Sequence, residues 1–229
     1  MFIAYDNSAQ GISSGAYLSF NHTIGAGAYP LLLFFLGVPG GSGSRPAVEQ
    51  FAGVTMTHIA QFTEDYVDWH VYALPNPPTG TNSFIFGPVS VSPYNTLFGL
   101  SGSYSGCDPS IDCYGNTQQL DVSPVFVSTT VIAENCWLVT GGLSLVTGSG
   151  APIQNLTTSG SRRQDFITFS NQVGCQLADS NGTVVTGTQG LNVFGNNGGS
   201  FSNDYINGGI TVSIKPFGTS TNALFFAGN

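Results

Sequence analysis

The densest run of side chains that could do chemistry is HIAQFTEDYVDWH, residues 58–70, which carries His58, Glu64, Asp65, Asp68 and His70. Two carboxylates on either side of a glycosidic bond supply the acid and base of glycoside hydrolysis, and an acid beside an imidazole can pass a proton. The surrounding pattern argues for another use. In VDWHVYAL, residues 67–74, the alternation puts Val67, Trp69, Val71 and Ala73 on one strand face and Asp68, His70, Tyr72 and Leu74 on the other. Glu64 and Asp65 then fall at a solvated turn between two strands. A structural hairpin is expected here, with no catalytic residue.

Other polar groups are judged in the same way. Asp108 and Asp112 stand four apart, and hard oxygen ligands at such spacing can hold calcium. DSNG, residues 179–182, lacks the third acid and the closing Glu of a calcium loop. Asp residues in such stretches commonly cap turns through their own side chains. His22, His58 and His70 have no zinc spacing, and no C-x-x-C pair occurs. Neither a metal nor a cofactor is expected. The glycine-rich GVPGGSGSRP, residues 37–46, follows an apolar strand without leading into a helix, so it reads as an exposed loop and not a phosphate cradle. Tyr17, Tyr29, Tyr94, Tyr104 and Tyr114 would offer stacking platforms for sugar rings if exposed and clustered.

Charge narrows the partners. The chain has four Lys and Arg against twelve Asp and Glu, a net charge of -8. Phosphate binding needs clustered cations, and the one adjacent pair, Arg162-Arg163, reads as a solvated loop. No nucleic-acid partner is expected. Only 7% of the 229 residues are charged, against about 25% in an ordinary soluble domain, so Ser, Thr, Asn and Gly must make up most of the surface. Such surfaces suit particle coats and extracellular modules. Residues 1–6 show no basic segment followed by a long apolar one, and the expectation is a chain made without export or one whose start was trimmed.

The elements that position these groups are strands. Helical periodicity is nearly absent, and alternating or continuous apolar runs recur between Gly, Pro and Asn. YLSFNHTI alternates Leu18, Phe20, His22 and Ile24 against Tyr17, Ser19, Asn21 and Thr23. The whole reads as all-β: a single jelly-roll-like antiparallel β-sandwich of about a dozen strands. Its domain is placed at 1–217, followed by a tail at 218–229.

One strand stands apart. Leu31, Leu32, Leu33, Phe34, Phe35 and Leu36 form an unbroken apolar run. It is too short for a transmembrane helix, which needs about 20 residues, so membrane insertion is not expected. Continuous apolar strands are those covered on both faces. A two-layer sandwich covers only one face, so a long loop, a third layer or a neighbouring subunit must cover the other. Leu31 to Leu36, together with Leu224, Phe225 and Phe226 of the tail, are therefore candidate subunit-interface residues. Four cysteines, Cys107, Cys113, Cys136 and Cys175, allow three complete pairings. Cys107 and Cys113 enclose the turn-rich DPSID and form a candidate local disulfide, whereas Cys136 reads as a buried small hydrophobe.

The order of several stretches resembles a family of jelly-roll domains found in bacteriophage virion structural proteins and in environmental bacterial surface proteins. LSFNHTIG is similar to its S-x-x-H-T/S-x-G strand, FAGVTMTHIA to its G-G-V-x-L-T turn and strand, and DWHVYALPNPPTGTNSFIF to its W-x-L-x-x-P-x-x-G-x-x-x-V segment. GSYSGCDPSID resembles its S-Y-S-G-V-D corner, and NCWLVTGG, QLADSNGTVVTGTQGLNVF and NGGITVSIKPF resemble the late strands. The resemblance spans residues 2–217. Cys107 stands where the family usually has Val, so a local disulfide would be particular to this chain. The tail GTSTNALFFAGN extends past the family's usual end.

The resemblance implies a jelly-roll fold and a structural or attachment role, and it brings no catalytic residue. The expected function is a non-enzymatic virion structural protein on the particle exterior, such as a capsid decoration or tail-associated subunit. Its partners would be other copies of itself and other virion proteins. Assembly in a host cytoplasm predicts thiols at first, with later oxidation outside open to them. The rival reading is a secreted or cell-surface module that binds host-surface glycan. A third, a glycosidase using the Glu64 to His70 region, has the least support.

Overall fold

The structure, a computed structural model, describes residues 1–39, 45–64, 67–89, 96–120, 125–146, 153, 156–168, 173–193 and 205–218. In chain order the first strands are β1 (Ala4–Ser13), β2 (Leu18–Ile24), β3 (Leu31–Pro39), β4 (Val48–Phe51), β5 (Val54–Thr55), β6 (Thr57–Glu64), β7 (Val67–Pro75) and β8 (Gly80–Gly87). They continue with β9 (Leu97–Ser105), β10 (Cys107–Leu120), β11 (Val125–Val131) and β12 (Trp137–Val146). The last four are β13 (Ser161–Thr168), β14 (Val173–Asp179), β15 (Gly187–Val193) and β16 (Tyr205–Pro216). Every pairing between them is antiparallel.

These strands make an all-β sandwich of stacked sheets. The outermost sheet has the order β2-β8-β4-β5, and it lies on a second sheet of order β1-β9-β3-β7-β6. A third sheet, β10-β16-β12-β14-β13, packs on the opposite face of the second, and the β11-β15 pair covers the third. The central strands of the second and third sheets are thus buried on both faces.

The stacking explains the apolar run and corrects one of its two readings. Leu31, Leu33 and Phe35 point into the core shared with the third sheet, while Leu32, Phe34 and Leu36 point into the core shared with the first. All six are fully buried inside one chain. They form no subunit surface, because the β2-β8-β4-β5 sheet supplies the second cover. Burying six such side chains contributes on the order of 10 kcal/mol, an upper estimate because unfolded chains are already partly compact. Leu224, Phe225 and Phe226 lie outside the described residues.

Close approach of the sheets depends on a glycine. A Cβ at Gly141 of β12 would overlap the Phe35 ring projecting from β3, so the bare backbone there is the socket for Phe35. Gly141→Ala is expected to cost about 3 kcal/mol, the upper end of ordinary overpacking, read as a lower denaturant midpoint. A change under about 0.5 kcal/mol would show that the two sheets can separate without loss.

Candidate functional site

The expected hairpin strands pair from Glu64↔Val67 back to Thr57↔Ala73, with a bulge between His58 and Ala60. Asp65 itself lies outside the described residues. Trp69 enters the core toward the third sheet, whereas Asp68, His70 and Tyr72 are buried on the opposite face, beneath the first sheet. That face was expected to be polar, and it is also sealed. His70 Nδ1 lies 3.3 Å from His58 Nε2, so one ring donates and the other accepts. The Tyr72 ring packs against both imidazoles.

Glu49 completes the cluster from β4, buried next to Phe51, and Arg45 closes it with a two-pronged ion pair at 3.1 and 2.6 Å. Burial, with the positive charge of Arg45 adding to it, holds His58 and His70 below the ordinary imidazole value, His70 at about 4. Burial and the Glu49 carboxylate push the Tyr72 phenol upward. The pair therefore stays neutral near pH 7 and acts as an internal strut. Glu49 and Arg45 were not singled out from the sequence, although the alternation of VEQF puts Glu49 on the same face as Phe51.

A second cluster contains the groups of a serine hydrolase in another arrangement. His22 of β2 lies 2.8 Å from Ser101 Oγ through Nδ1 and 3.0 Å from Ser103 Oγ through Nε2. Ser103 Oγ donates to Asp6 Oδ2 at 2.8 Å, and that carboxylate also accepts the Gly25 N–H at 2.9 Å. With His22 neutral, its Nε2–H donates to Ser103, and the single Ser101 proton goes either to Nδ1 at 2.8 Å or to the Ala9 carbonyl at 3.2 Å. Burial lowers His22 to about 4, opposed by the Asp6 charge. His22, Ser101 and Ser103 are at most 1% exposed, so the hydroxyls bolt the first sheet to the second instead of meeting a substrate. Of the stretch from Ser19 to Gly25, the network uses His22 and the Gly25 N–H.

Arg162-Arg163 is not the solvated loop expected. Both residues lie on β13, and Arg163 grips fully buried Asp179 with Nε at 2.7 Å and Nη2 at 2.9 Å. Tyr104 donates to the same carboxylate at 3.2 Å, as does the Asn181 N–H at 2.9 Å, and the guanidinium lies 4.1 Å from the Tyr5 ring centre. Asp179 is committed to Arg163, which leaves DSNG no calcium-binding role. The ion pair joins neighbouring strands of the third sheet, and the Tyr104 hydroxyl and Tyr5 ring bring the second sheet onto it, where composition alone suggested only surface charge.

Asp108 and Asp112 cap turns. Asp108 accepts from the Ser110 N–H at 2.9 Å and lies near Lys215, while Asp112 accepts from Ile132 and Ala133 N–H at 2.9 and 3.1 Å. Among the described residues no cluster of three or more His, Cys, Asp or Glu could hold a metal ion. The Cys107–Cys113 bridge is absent, and all four cysteines are free thiols. DPSID belongs to a bulged strand instead of a closed loop. Cys107 faces Pro216 and Cys113 faces Ser213 on β16, an offset of about 10 Å at strand rise, beyond the reach of a disulfide. Cys107 also sits in the core between the second and third sheets, whereas Cys113 lies beside Asp112. Burial raises Cys107 to about 12 and Cys136, buried as expected, to about 11.

The tyrosines do not share a surface. Tyr104 is interior, and Tyr94 lies outside the described residues. Tyr17 packs beside Gly87, Tyr29 stacks on Phe217, and Tyr114 lines a cleft of about 600 Å³ between β6 and β10 with Thr57, Ile59, Pro109 and Ser110. The fold and these sites define an all-β antiparallel sandwich whose strongest polar clusters are buried ties between neighbouring strands or between sheets. Comparison with protein-family models, curated proteins and solved structures finds no match.

Proposed function

We propose that this chain is a non-enzymatic structural protein on the exterior of a virion, a capsid decoration or tail-associated subunit that contacts copies of itself and other virion proteins. In this reading the sandwich is an elaborated jelly roll. The observation that carries it is the inward use of reactive groups. His22, His70, Ser101, Ser103 and Asp179 are buried: His22 ties two sheets through Ser101 and Ser103, His70 meets His58 within one sheet, and Asp179 takes Arg163 from its own sheet and Tyr104 from the next. A stiff multilayer body with few surface charges suits a particle that must persist outside a cell.

Fractionating a producer culture on a density gradient, with chymotryptic mass spectrometry, tests this. Stoichiometric co-migration with particles is the expected result. Recovery only with cell envelopes or free in the medium would overturn it in favour of the glycan-binding reading. For that second reading the cleft beside half-exposed Tyr114 is the specific support, since an open aromatic ring next to Ser and Thr hydroxyls suits a sugar.

A further inference from the structure

One end of the sandwich carries an apolar surface that is exposed among the described residues. Gly106 is its centre. The Gly106 N–H donates to Ala28 O at 2.8 Å, its carbonyl accepts the Phe217 N–H at 2.8 Å, and the Phe2 carbonyl and Met1 side chain close over the site where a Cβ would project. Tyr29 and Phe217 stack with ring centres 3.6 Å apart and planes 12° apart. The exposures are 62% for Met1, 88% for Phe2, 42% for Tyr29 and 37% for Phe217. Four large apolar side chains therefore surround one backbone turn and face outward together. Beside them, Met1, Phe2, Ile3, Trp137 and Pro216 line a hollow of about 210 Å³. That is smaller than the roughly 300–1,000 Å³ of small-molecule pockets, and it suits a single anchoring side chain.

The chain itself supplies a matching segment at this place. Phe217 belongs to the surface, and Gly218 follows it with φ of 84°. The next eleven residues, 219–229, hold no charged side chain and include Ala223-Leu224-Phe225-Phe226-Ala227. Their extended reach is about 36 Å. Receptor and ligand are thus rooted at one point of the chain, and a two-fold contact uses the same patch on both copies. Folding back on its own copy, the segment would cover the surface with its own side chains alone. Against a second copy, the two surfaces also cover each other. The seven large side chains per copy, each able to bury on the order of 100 Å² or more, approach the roughly 800 Å² per partner of a specific interface.

We infer that this end is where two copies of the chain meet, each placing Leu224 to Phe226 on the other's Phe2, Tyr29 and Phe217 surface, with an aromatic ring in the hollow beside Trp137. The inference deepens the structural-subunit reading and rests on it for the need to self-associate. Its test uses the isolated full chain, so the two can fail separately.

Sedimentation equilibrium from about 1 to about 100 μM should show a monomer–dimer equilibrium. Ending the chain after Gly218, Phe225→Ser with Phe226→Ser, and Phe2→Ser with Tyr29→Ser should each weaken association at least about tenfold, or about 1.4 kcal/mol. Unchanged near-ultraviolet circular dichroism and melting midpoint would show that these variants still fold. A photo-crosslinking p-benzoylphenylalanine at position 226, in an equal mixture of 14N- and 15N-labelled chains, should yield mixed-mass crosslinks to the peptides of Phe2 or Trp137. A monomer throughout the range, a shortened chain that dimerises as tightly as the full one, or crosslinks confined to single chains would each overturn the inference. A dimer in a chain that never co-migrates with particles would uphold this contact while removing the virion reading.

Discussion

Between pH 7 and pH 4 the folded chain is expected to lose about 6 kcal/mol of stability, with His22 and His70 contributing about 3 kcal/mol each. Both imidazoles are fully buried and held near a pKa of 4, chiefly by desolvation, against 6.5 when exposed. The sign follows from proton counting. Below pH 6.5 the unfolded chain takes up a proton at each ring while the folded chain does not, so stability is complete above 6.5 and falls as pH drops toward 4. Such a loss is comparable to the roughly 5–15 kcal/mol that holds a domain folded.

Denaturant midpoints from pH 7.5 to 4 give the measurement, with a slope near pH 5 that approaches two protons from His22 and His70 and has a further part from His58, which is also held below its ordinary value. His22→Gln and His70→Gln should each reduce the slope by about one proton, even though each lowers stability at pH 7. Asp108, the carboxylate held below its ordinary value by Ser110 and Lys215 against its own desolvation, contributes stability that is present above its ordinary 3.8 and is lost mainly below that pH, at the edge of this window. A midpoint unchanged between pH 7 and 4.5 would show that these rings are hydrated in solution.

Replacing Arg163 by Ala is expected to cost about 3–5 kcal/mol, because it leaves the carboxylate of Asp179 buried with no cation. Asp179 is 0% exposed, and both prongs of the guanidinium reach it, at 2.7 and 2.9 Å. Arg163→Lys should lose less but still substantially, since one ammonium cannot reproduce the planar fork. Tyr104→Phe removes one donor to the same group at 3.2 Å, with an expected cost of about 1–2 kcal/mol. The decisive comparison is the double variant Arg163→Met with Asp179→Leu. It should recover most of what Arg163→Ala loses, because the isolated charge, not the missing attraction, dominates the penalty. Equilibrium unfolding of the set at pH 7 provides the numbers. An Arg163→Ala variant within about 1 kcal/mol of the natural chain would mean that Asp179 is reached by water.

Strand identity was legible because it is written in short-range pattern. The alternation in VDWHVYAL correctly separates Trp69 from Asp68 and His70, since neighbouring side chains on a strand point to opposite faces. The run from Leu31 to Leu36 likewise states that both faces of its strand are covered. Proximity in sequence misled at Cys107 and Cys113, because a strand that continues through DPSID carries the two thiols apart instead of folding them together.

What covers the apolar run was decided elsewhere. The covering sheet is assembled from β2, β8, β4 and β5, which come from both sides of β3 in the chain, and no local pattern encodes that pairing. The same holds for the polar ties. His22 meets Ser101 across 79 residues, and Arg163 meets Asp179 across a neighbouring strand with a register shift between Arg162 and Gln164. By itself the sequence determined the all-β class, the two-sided strand and the poverty of charge, all of which follow from composition and two-residue periodicity. Only the tertiary structure decided that His22, His70 and Asp179 face inward, because a buried polar or charged group needs a partner, and sheet stacking brings Ser101 and Ser103 to His22 while strand pairing brings Arg163 to Asp179.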